Sequence, residues 1–357
     1  MESTEKVSII LPVYNSEKFI ERTLNSLINQ TYKNIEILCI NDGSSDNSLN
    51  ILKEYSKKDS RIKVFTQENS GPARARNKGL ENFTGEFLMF CDSDDCYETD
   101  MVEIMVKSLK ENDVDFAMCD AKVIIQDKGA SHTKRWRTIR YHTNMIDKER
   151  IIELGLSEKY KMKVFLWNKI FKANIIRKYK MSFPNGYEND DTCFIEQYMF
   201  AAKKYYAIKK QLYNYFVRNN SIMDIFYKRI VPNKLYDKIK TLEYSFKFLQ
   251  KNRNLLTENN KKLYLCIVAT RFKYSFMFDC QTEEEKQKAK DIMFEIVKKT
   301  SDEIKYPKIF YKLDKISVQH LNRYLERNSV ESIALGYKYK IKEFIQKMGK
   351  TFFILRF

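Results

Sequence analysis

The chain has 357 residues, 43% hydrophobic and 31% charged, a soluble globular composition with material for about two domains. No apolar run approaches the ~18 residues needed to cross a bilayer. Met1–Lys6 lacks the layout of a signal peptide, so a cytosolic location is expected. The net charge of +17 is unevenly spread: residues 1–120 hold 14 Lys/Arg against 22 Asp/Glu, and the remainder 50 against 25. An acidic front and a basic back argue for two functional regions. The second should favour an anionic partner: nucleic acid, an anionic membrane surface or a phosphorylated substrate. Seven scattered cysteines without a CxxC pair speak against a disulfide framework or a structural zinc site, and three histidines against a His-rich metal centre.

Residues 7–13 form a nearly continuous apolar strand, the pattern of a strand buried on both faces. A helix is predicted from Ser16, a good N-cap, to Asn29, with Phe19, Ile20, Leu24, Leu27 and Ile28 at helical spacing. A strand over 35–40 runs into Asn41-Asp42-Gly43-Ser44-Ser45-Asp46, and a helix covers about 46–57. A short strand at 62–65 and a helix at 72–82, opened by Gly71-Pro72, come next. A strand at 86–91 ends in Asp92-Ser93-Asp94-Asp95. A helix at 99–112 and a strand at 114–119 complete the alternation, which predicts an open, mainly parallel α/β sheet flanked by helices. Beyond it a basic hairpin is expected over 122–142, helices near 147–156 and 190–203, and short strands near 205–217. From about 230 the pattern is helical and Lys-rich, with a basic amphipathic segment at 337–350.

In open α/β sheets ligands sit beyond the carboxyl ends of the strands, and the polar clusters Tyr14-Asn15, Asn41–Ser44 and Asp92–Asp94 all fall there. Each has two readings. Asp92-Ser93-Asp94 is a helix-capping loop or an oxygen-only site for Mg²⁺ or Mn²⁺ that neutralises a diphosphate. Asp42 belongs to a strand-to-helix turn or accepts hydrogen bonds from a nucleobase on which Tyr14 stacks. Arg74, Arg76 and Lys78 form a solvated helix face or supply phosphate ligands. Glu188, Asp190 and Asp191 complement a helix dipole or provide a general base. Neither a GxGxxG nor a P-loop motif is present.

Taken together these segments resemble the family 2 glycosyltransferases of GT-A fold. The resemblance is carried by Val7–Asn15, Gln30-Thr31-Tyr32, Ile40–Asp46, Asn69–Pro72 with Ala75–Gly79, and Gly85-Glu86 leading to Phe90–Asp95. Trp167-Asn168-Lys169 and Asp190-Asp191-Thr192-Cys193-Phe194 look like the family's Trp-Asn-Lys and Glu-Asp-x-x-Phe elements, with Asp in place of Glu. Leu212–Tyr215 and Arg218–Ser221 resemble the segment that closes the site. The resemblance covers about 1–225, implied to be a catalytic domain with a nucleotide-binding half at 1–120 and an acceptor half at 121–225. Residues 226–357 would be a basic helical region, docking to a membrane or an acceptor.

The resemblance implies an inverting, metal-dependent transfer from a nucleotide-diphosphate sugar, often a UDP-sugar. The acceptor would be a hydroxyl of a glycan, polymer or lipid-linked molecule in cell-surface polysaccharide synthesis. Carried over residue by residue, Pro12, Tyr14 and Asp42 would line the base, Arg76 would approach the nucleotide or its phosphates, and Asn15, Asp92 and Ser93 would serve the nucleotide-sugar. Asp94, with Asp92, would hold Mg²⁺ or Mn²⁺, and Asp191 would be the base. Asp190, Glu188, Trp167, Lys169 and Arg218 would support them. Two other classes compete: a basic nucleic-acid-binding protein, for which no helix-turn-helix, zinc-finger, RNP or KH signature appears, and a nucleotide-sugar binding module without turnover. A peripheral place on the inner face of the cell membrane is the matching expectation for location.

Overall fold

The computed structural model describes residues 5–127, 130–136, 145–148, 165–186, 190–217 and 234–261, with Tyr264, Ile267, Thr282 and Glu284 beyond them. Chain order begins β1 Val7–Val13, α1 Ile20–Ile28, β2 Ile35–Asp42, α2 Ser48–Lys58, β3 Ile62–Gln67, α3 Pro72–Asn82, β4 Phe87–Phe90, β5 Cys96–Tyr97 and α4 Met101–Glu111. It continues β6 Phe116–Asp127, β7 Ala130–Trp136, β8 Met145–Asp147, β9 Lys169–Lys172, α5 Ala173–Tyr179, α6 Asp190–Ala201, β10 Lys204–Val217 and α7 Lys234–Lys251. The strands make one sheet in the order β3-β2-β1-β4-β9-β6-β10-β5, with β7 on β6 and β8 on β10.

The first four strands in that order are parallel, with Val13 opposite Asn41 and Ile10 opposite Phe90. Their carboxyl ends are therefore level, and the loops that leave them are neighbours. Side chains alternate between the two faces. Ile10, Leu38 and Ile40 enter one core with α3, α5, α6 and α7, whereas Ile9, Leu11, Ile37 and Cys39 enter the other with α1, α2 and α4. The continuous apolar runs of β1 and β2 are the sequence expression of that double burial. Helix α3 lies close on β1: a Cβ on Gly79 would stand 2.6 Å from the Ile10 side chain. Helix α7 packs into the same core as α6, through Leu242, Phe246 and Leu249. Ser245 donates to Glu196 at 2.7 Å there.

Several expectations are refined. The first helix starts at Ile20, four residues after Ser16, because Ser16 closes a turn instead. Its carbonyl accepts the amides of Phe19 and Ile20, and its hydroxyl meets the Tyr14 carbonyl and Ser93. The strand expected at 114–119 runs on to Asp127 and pairs with β7, which realises the basic hairpin over its described part. The short strands near 205–217 are one long strand with register shifts between Ile208 and Tyr213. Three strands went unforeseen. Two are β5 and β8; the third is β9, which lies antiparallel between β4 and β6 and separates the parallel nucleotide half from the rest. The helix expected at 147–156, apart from its first residues, and the 337–350 segment lie outside the described residues.

Candidate active site

The loop after β1 and the loop after β2 hold each other. Asn15, at φ 46°, donates its amide to Ser44 Oγ and accepts the Ser45 amide on Oδ1 at 2.9 Å. Tyr14 stands beside them half exposed, with the ring available to a flat partner. Gly43 has φ 68°, and a Cβ there would lie 2.7 Å from the Asn69 amide, so the turn after β2 requires glycine.

Asp42, at the end of β2, is 3% exposed. It accepts Gln67 Nε2 at 2.8 Å and the amides of Ser70 and Gly71 at 2.9 and 2.8 Å. Its carboxylate thereby fixes the loop that begins α3, a role in addition to the base contact expected of it. Pro12 is half-buried in β1 beneath this edge.

Helix α3 carries Arg76 under the sheet edge. The guanidinium donates to Asp190 Oδ2 at 2.6 Å and approaches Asp92 Oδ1 at 3.5 Å. Its Nε is buried and, among the described residues, is the sole buried side-chain polar atom without a hydrogen-bond partner. Burial opposes its charge, and the carboxylates of Asp190, Asp92 and Asp191 restore it. Three acids thus share one arginine. Burial, followed by the charges of Asp94 and Asp190, pushes the Asp92 carboxyl up despite Arg76. A fixed surplus of carboxylate around a single guanidinium suits a cation carrying a polyanion.

The Asp92–Asp94 loop is braced from α1. Ser93 Oγ meets Ser16 Oγ at 2.7 Å, Thr23 Oγ1 donates to the Ser93 carbonyl at 3.0 Å, and Arg22 donates to the Asp94 carbonyl at 2.7 Å. Among the described residues no three His, Cys, Asp or Glu side chains gather into a ready metal cage. Asp92 and Asp94 supply two carboxylates. That count fits Mg²⁺ or Mn²⁺, which takes one or two carboxylates and completes its shell with substrate phosphates and water.

Asp190 and Asp191 open α6, where the dipole favours acids. Asp190 is tied to Arg76. Asp191 accepts the Thr192 amide at 2.6 Å. Burial, then the Asp190 charge, raises its carboxyl to about 6, with Arg76 and the Thr192 amide opposing. Asn77, next to Arg76, secures the approach to α6 by bonding both the amide and the carbonyl of Phe183.

Behind the loop, Trp167 stacks between Phe165 at 4.8 Å and Tyr213 at 4.3 Å. Lys169 is fully buried, its amine on the Asn168 side chain and the Phe165 carbonyl. Burial pulls its pKa down to about 7, with Asp191 among the charges that oppose this. Arg76 thus gathers Asp92, Asp190 and Asp191, with Ser93 and Asp94 following in the loop of Asp92, while Asp42 bonds the turn that opens the helix carrying Arg76, and Tyr14 and Asn15 leave the adjacent end of β1. Glu188 and Arg218 lie outside the described residues. Sequence reading assigned no role to Arg22, Thr23, Asn77, Asp95 or Tyr213. Their partners are between 70 and 121 residues away, a separation that no local pattern encodes; Asn77, Asp95 and Tyr213 stand inside family-like motifs, but those motifs give them no role of their own.

Comparison with known proteins bears on the fold and the family. TarS 1–349 of S. aureus, solved with UDP, has a TM-score of 0.62 at 21% identity, over 91% of this chain and 92% of that one. Its UDP-GlcNAc complex gives 0.55 at 18% identity, over 84% and 91%. These likenesses establish the GT-A fold. In sequence the chain is 36% identical over 268 residues to EpsH of Bacillus subtilis, which is 74% of this chain and 75% of that protein. It is 36% identical over 222 residues to the glycosyltransferase GlyA of Streptococcus pneumoniae, 61% of this chain and 31% of that longer protein. Residues 8–171 match the profile described as Glycosyl transferase family 2. With three quarters of EpsH covered at that identity, the chain belongs to glycosyltransferase family 2.

Proposed function

We propose that the chain moves a sugar from a nucleotide-diphosphate sugar to an acceptor hydroxyl by a single displacement that inverts the anomeric centre. The observation that carries this is Arg76: a buried guanidinium with an unsatisfied Nε, ringed by Asp92, Asp190 and Asp191 at the carboxyl edge of the sheet. A diphosphate offers the acceptor oxygens that such a fork lacks. Tyr14 and Asp42 would meet the base, with Pro12 and Asn15 shaping that side and Ser93 the nucleotide-sugar. A divalent ion held by Asp94 and Asp92 would offset charge on the departing diphosphate. Asp191 would take the proton from the acceptor oxygen, since Asp190 is held in a hydrogen-bonded ion pair by Arg76, whereas Asp191 feels that charge only at a distance. TarS, a protein of like fold, was solved with UDP and UDP-GlcNAc, which makes UDP-sugars the first donors to try. The acceptor would be a glycan, polymer or lipid-linked hydroxyl in cell-surface polysaccharide synthesis, met at an anionic membrane surface by the basic region that follows residue 225.

The test is a hydrolysis and transfer screen over nucleotide-sugars with and without Mn²⁺, repeated on Asp191→Asn. The expected result is turnover of one donor class that needs the ion. In Asp191→Asn, turnover should drop by about 10²–10⁴-fold while donor affinity persists. A binding module would show affinity without turnover in either protein, and unchanged turnover in Asp191→Asn would remove the base from that residue.

A further inference from the structure

We infer that Tyr213 and Asp95 are positioning residues that hold the Asp92–Asp94 loop in the geometry that takes a divalent cation together with the donor diphosphate. This rests on the cation reading of that loop given above. Asp95 is 0% exposed and forms no ion pair among the described residues. Its Oδ2 accepts the Tyr213 hydroxyl at 2.8 Å, and its Oδ1 accepts the Phe216 amide at 2.8 Å. The same hydroxyl accepts the Asp92 amide at 3.3 Å. One phenol oxygen thus bridges the first acid of the loop and the buried acid that ends it.

The phenol itself cannot drift. Tyr213 is fully buried, its ring 4.3 Å from Trp167 and 5.7 Å from Tyr97. Tyr97 in turn donates to the Phe90 carbonyl at 2.7 Å, just before the loop. Two tyrosines therefore support the loop from below, while Arg22 and Thr23 fix the Asp94 and Ser93 carbonyls from the side. A buried carboxyl group is a costly way to fill a core, where an apolar side chain would serve. What it secures here is the backbone that aims Asp92 and Asp94, and it ties that backbone to the end of β10. Cation sites lose affinity steeply when their ligands wander, because supporting hydrogen bonds orient them.

The experiment measures UDP affinity of the full chain by calorimetry with Mn²⁺ and with a chelator, in wild type, Tyr213→Phe, Asp95→Asn and Asp94→Asn. The nucleoside diphosphate is changed only if the donor screen selects another base. Tyr213→Phe keeps the stacked ring and removes the bridging oxygen. Its metal-dependent gain in affinity should fall roughly tenfold, the scale of one lost hydrogen bond with its partners left unsatisfied, and its metal-free affinity should hold. Asp95→Asn should lose as much or more; if that variant fails to fold, Tyr213→Phe decides. An unchanged gain in Tyr213→Phe, with the gain abolished in Asp94→Asn, overturns the positioning role and leaves the cation reading intact. Equal loss with and without Mn²⁺ makes the role merely structural and also overturns it. A wild-type affinity indifferent to Mn²⁺ removes the cation reading and this inference with it.

Discussion

Asp190 and Asp191 are adjacent in sequence but differ in what they meet. Asp190 is 5% exposed and closes on Arg76 at 2.6 Å, a short charge-assisted bond that keeps it occupied. Asp191 faces the Thr192 amide instead, and burial together with its neighbour lifts its carboxyl to about 6. Sequence alone leaves Glu188, Asp190 and Asp191 as competing bases; the ion pair favours Asp191. A base titrating near 6 is protonated and idle below that value and available above it. Transfer measured at saturating donor should therefore rise with pH through about 6 and flatten above 7. Asp190→Asn removes the neighbouring charge, so the rising limb should move to lower pH. Asp190→Asn also frees one arm of Arg76. Displacement of the limb to higher pH, or no displacement, would separate the titration from Asp191.

At the scale of elements, the legible parts of the sheet are those whose residues see apolar surroundings on both faces. Strands β1, β2 and β4 announce themselves as nearly continuous apolar runs because successive apolar side chains meet one core or the other. Strand β9 has four residues and begins and ends with Lys, so no period can be read from it. Its Lys169 is buried by bonding the Asn168 side chain and the Phe165 carbonyl, a solution that only tertiary structure provides. Ser16 carries the signature of a helix cap and serves as a loop brace, since its hydroxyl finds Ser93 from 77 residues away. The amino ends of the strands hold a second device that composition hides. Glu36, 3% exposed, accepts Ser8, Thr84 and Lys63, and so joins β2 to β1, to the turn before β4 and to β3. Burial alone would raise its carboxyl, but Lys63 and the Ser8 and Thr84 donors outweigh it and lower the carboxyl to about 2. A depressed acid stabilises the fold above its unfolded value near 4.5 and loses that contribution as pH falls toward 2. Wild-type unfolding free energy should therefore decline through that window. Glu36→Gln should be less stable at pH 7 by about 2 kcal/mol, discounted for the exposure of Lys63, with a flatter acid limb. Denaturant midpoints at pH 7 and pH 3 measure both, and parallel acid limbs in the two proteins would sink the assignment.

For the whole molecule, charge and architecture run in opposite directions along the chain. The parallel half gathers the acids: 22 Asp/Glu against 14 Lys/Arg in residues 1–120, with several of those acids at the sheet edge. The basic excess lies beyond, yet the described helix of the C-terminal region does not stand apart. Helix α7 shares its core with α6, whose first turn carries Asp190 and Asp191. Helix α7 is thus packed directly on the helix that carries these two acids. None of the described helices is long and apolar enough to cross a membrane. Under the proposed function, attraction to an anionic surface would bring a lipid-linked acceptor to Asp191. Each Lys or Arg near an anionic leaflet contributes about 1 kcal/mol, and a Debye length near 8 Å at physiological ionic strength shrinks to about 3 Å in molar salt. Co-sedimentation of the full chain with vesicles should rise with the anionic lipid fraction and collapse as salt is added. Transfer to a lipid-linked acceptor should show the same salt dependence, whereas hydrolysis of the donor, which needs no surface, should not. Equal pelleting with neutral vesicles, or a salt effect on donor hydrolysis as large as on transfer, would detach the basic region from acceptor delivery.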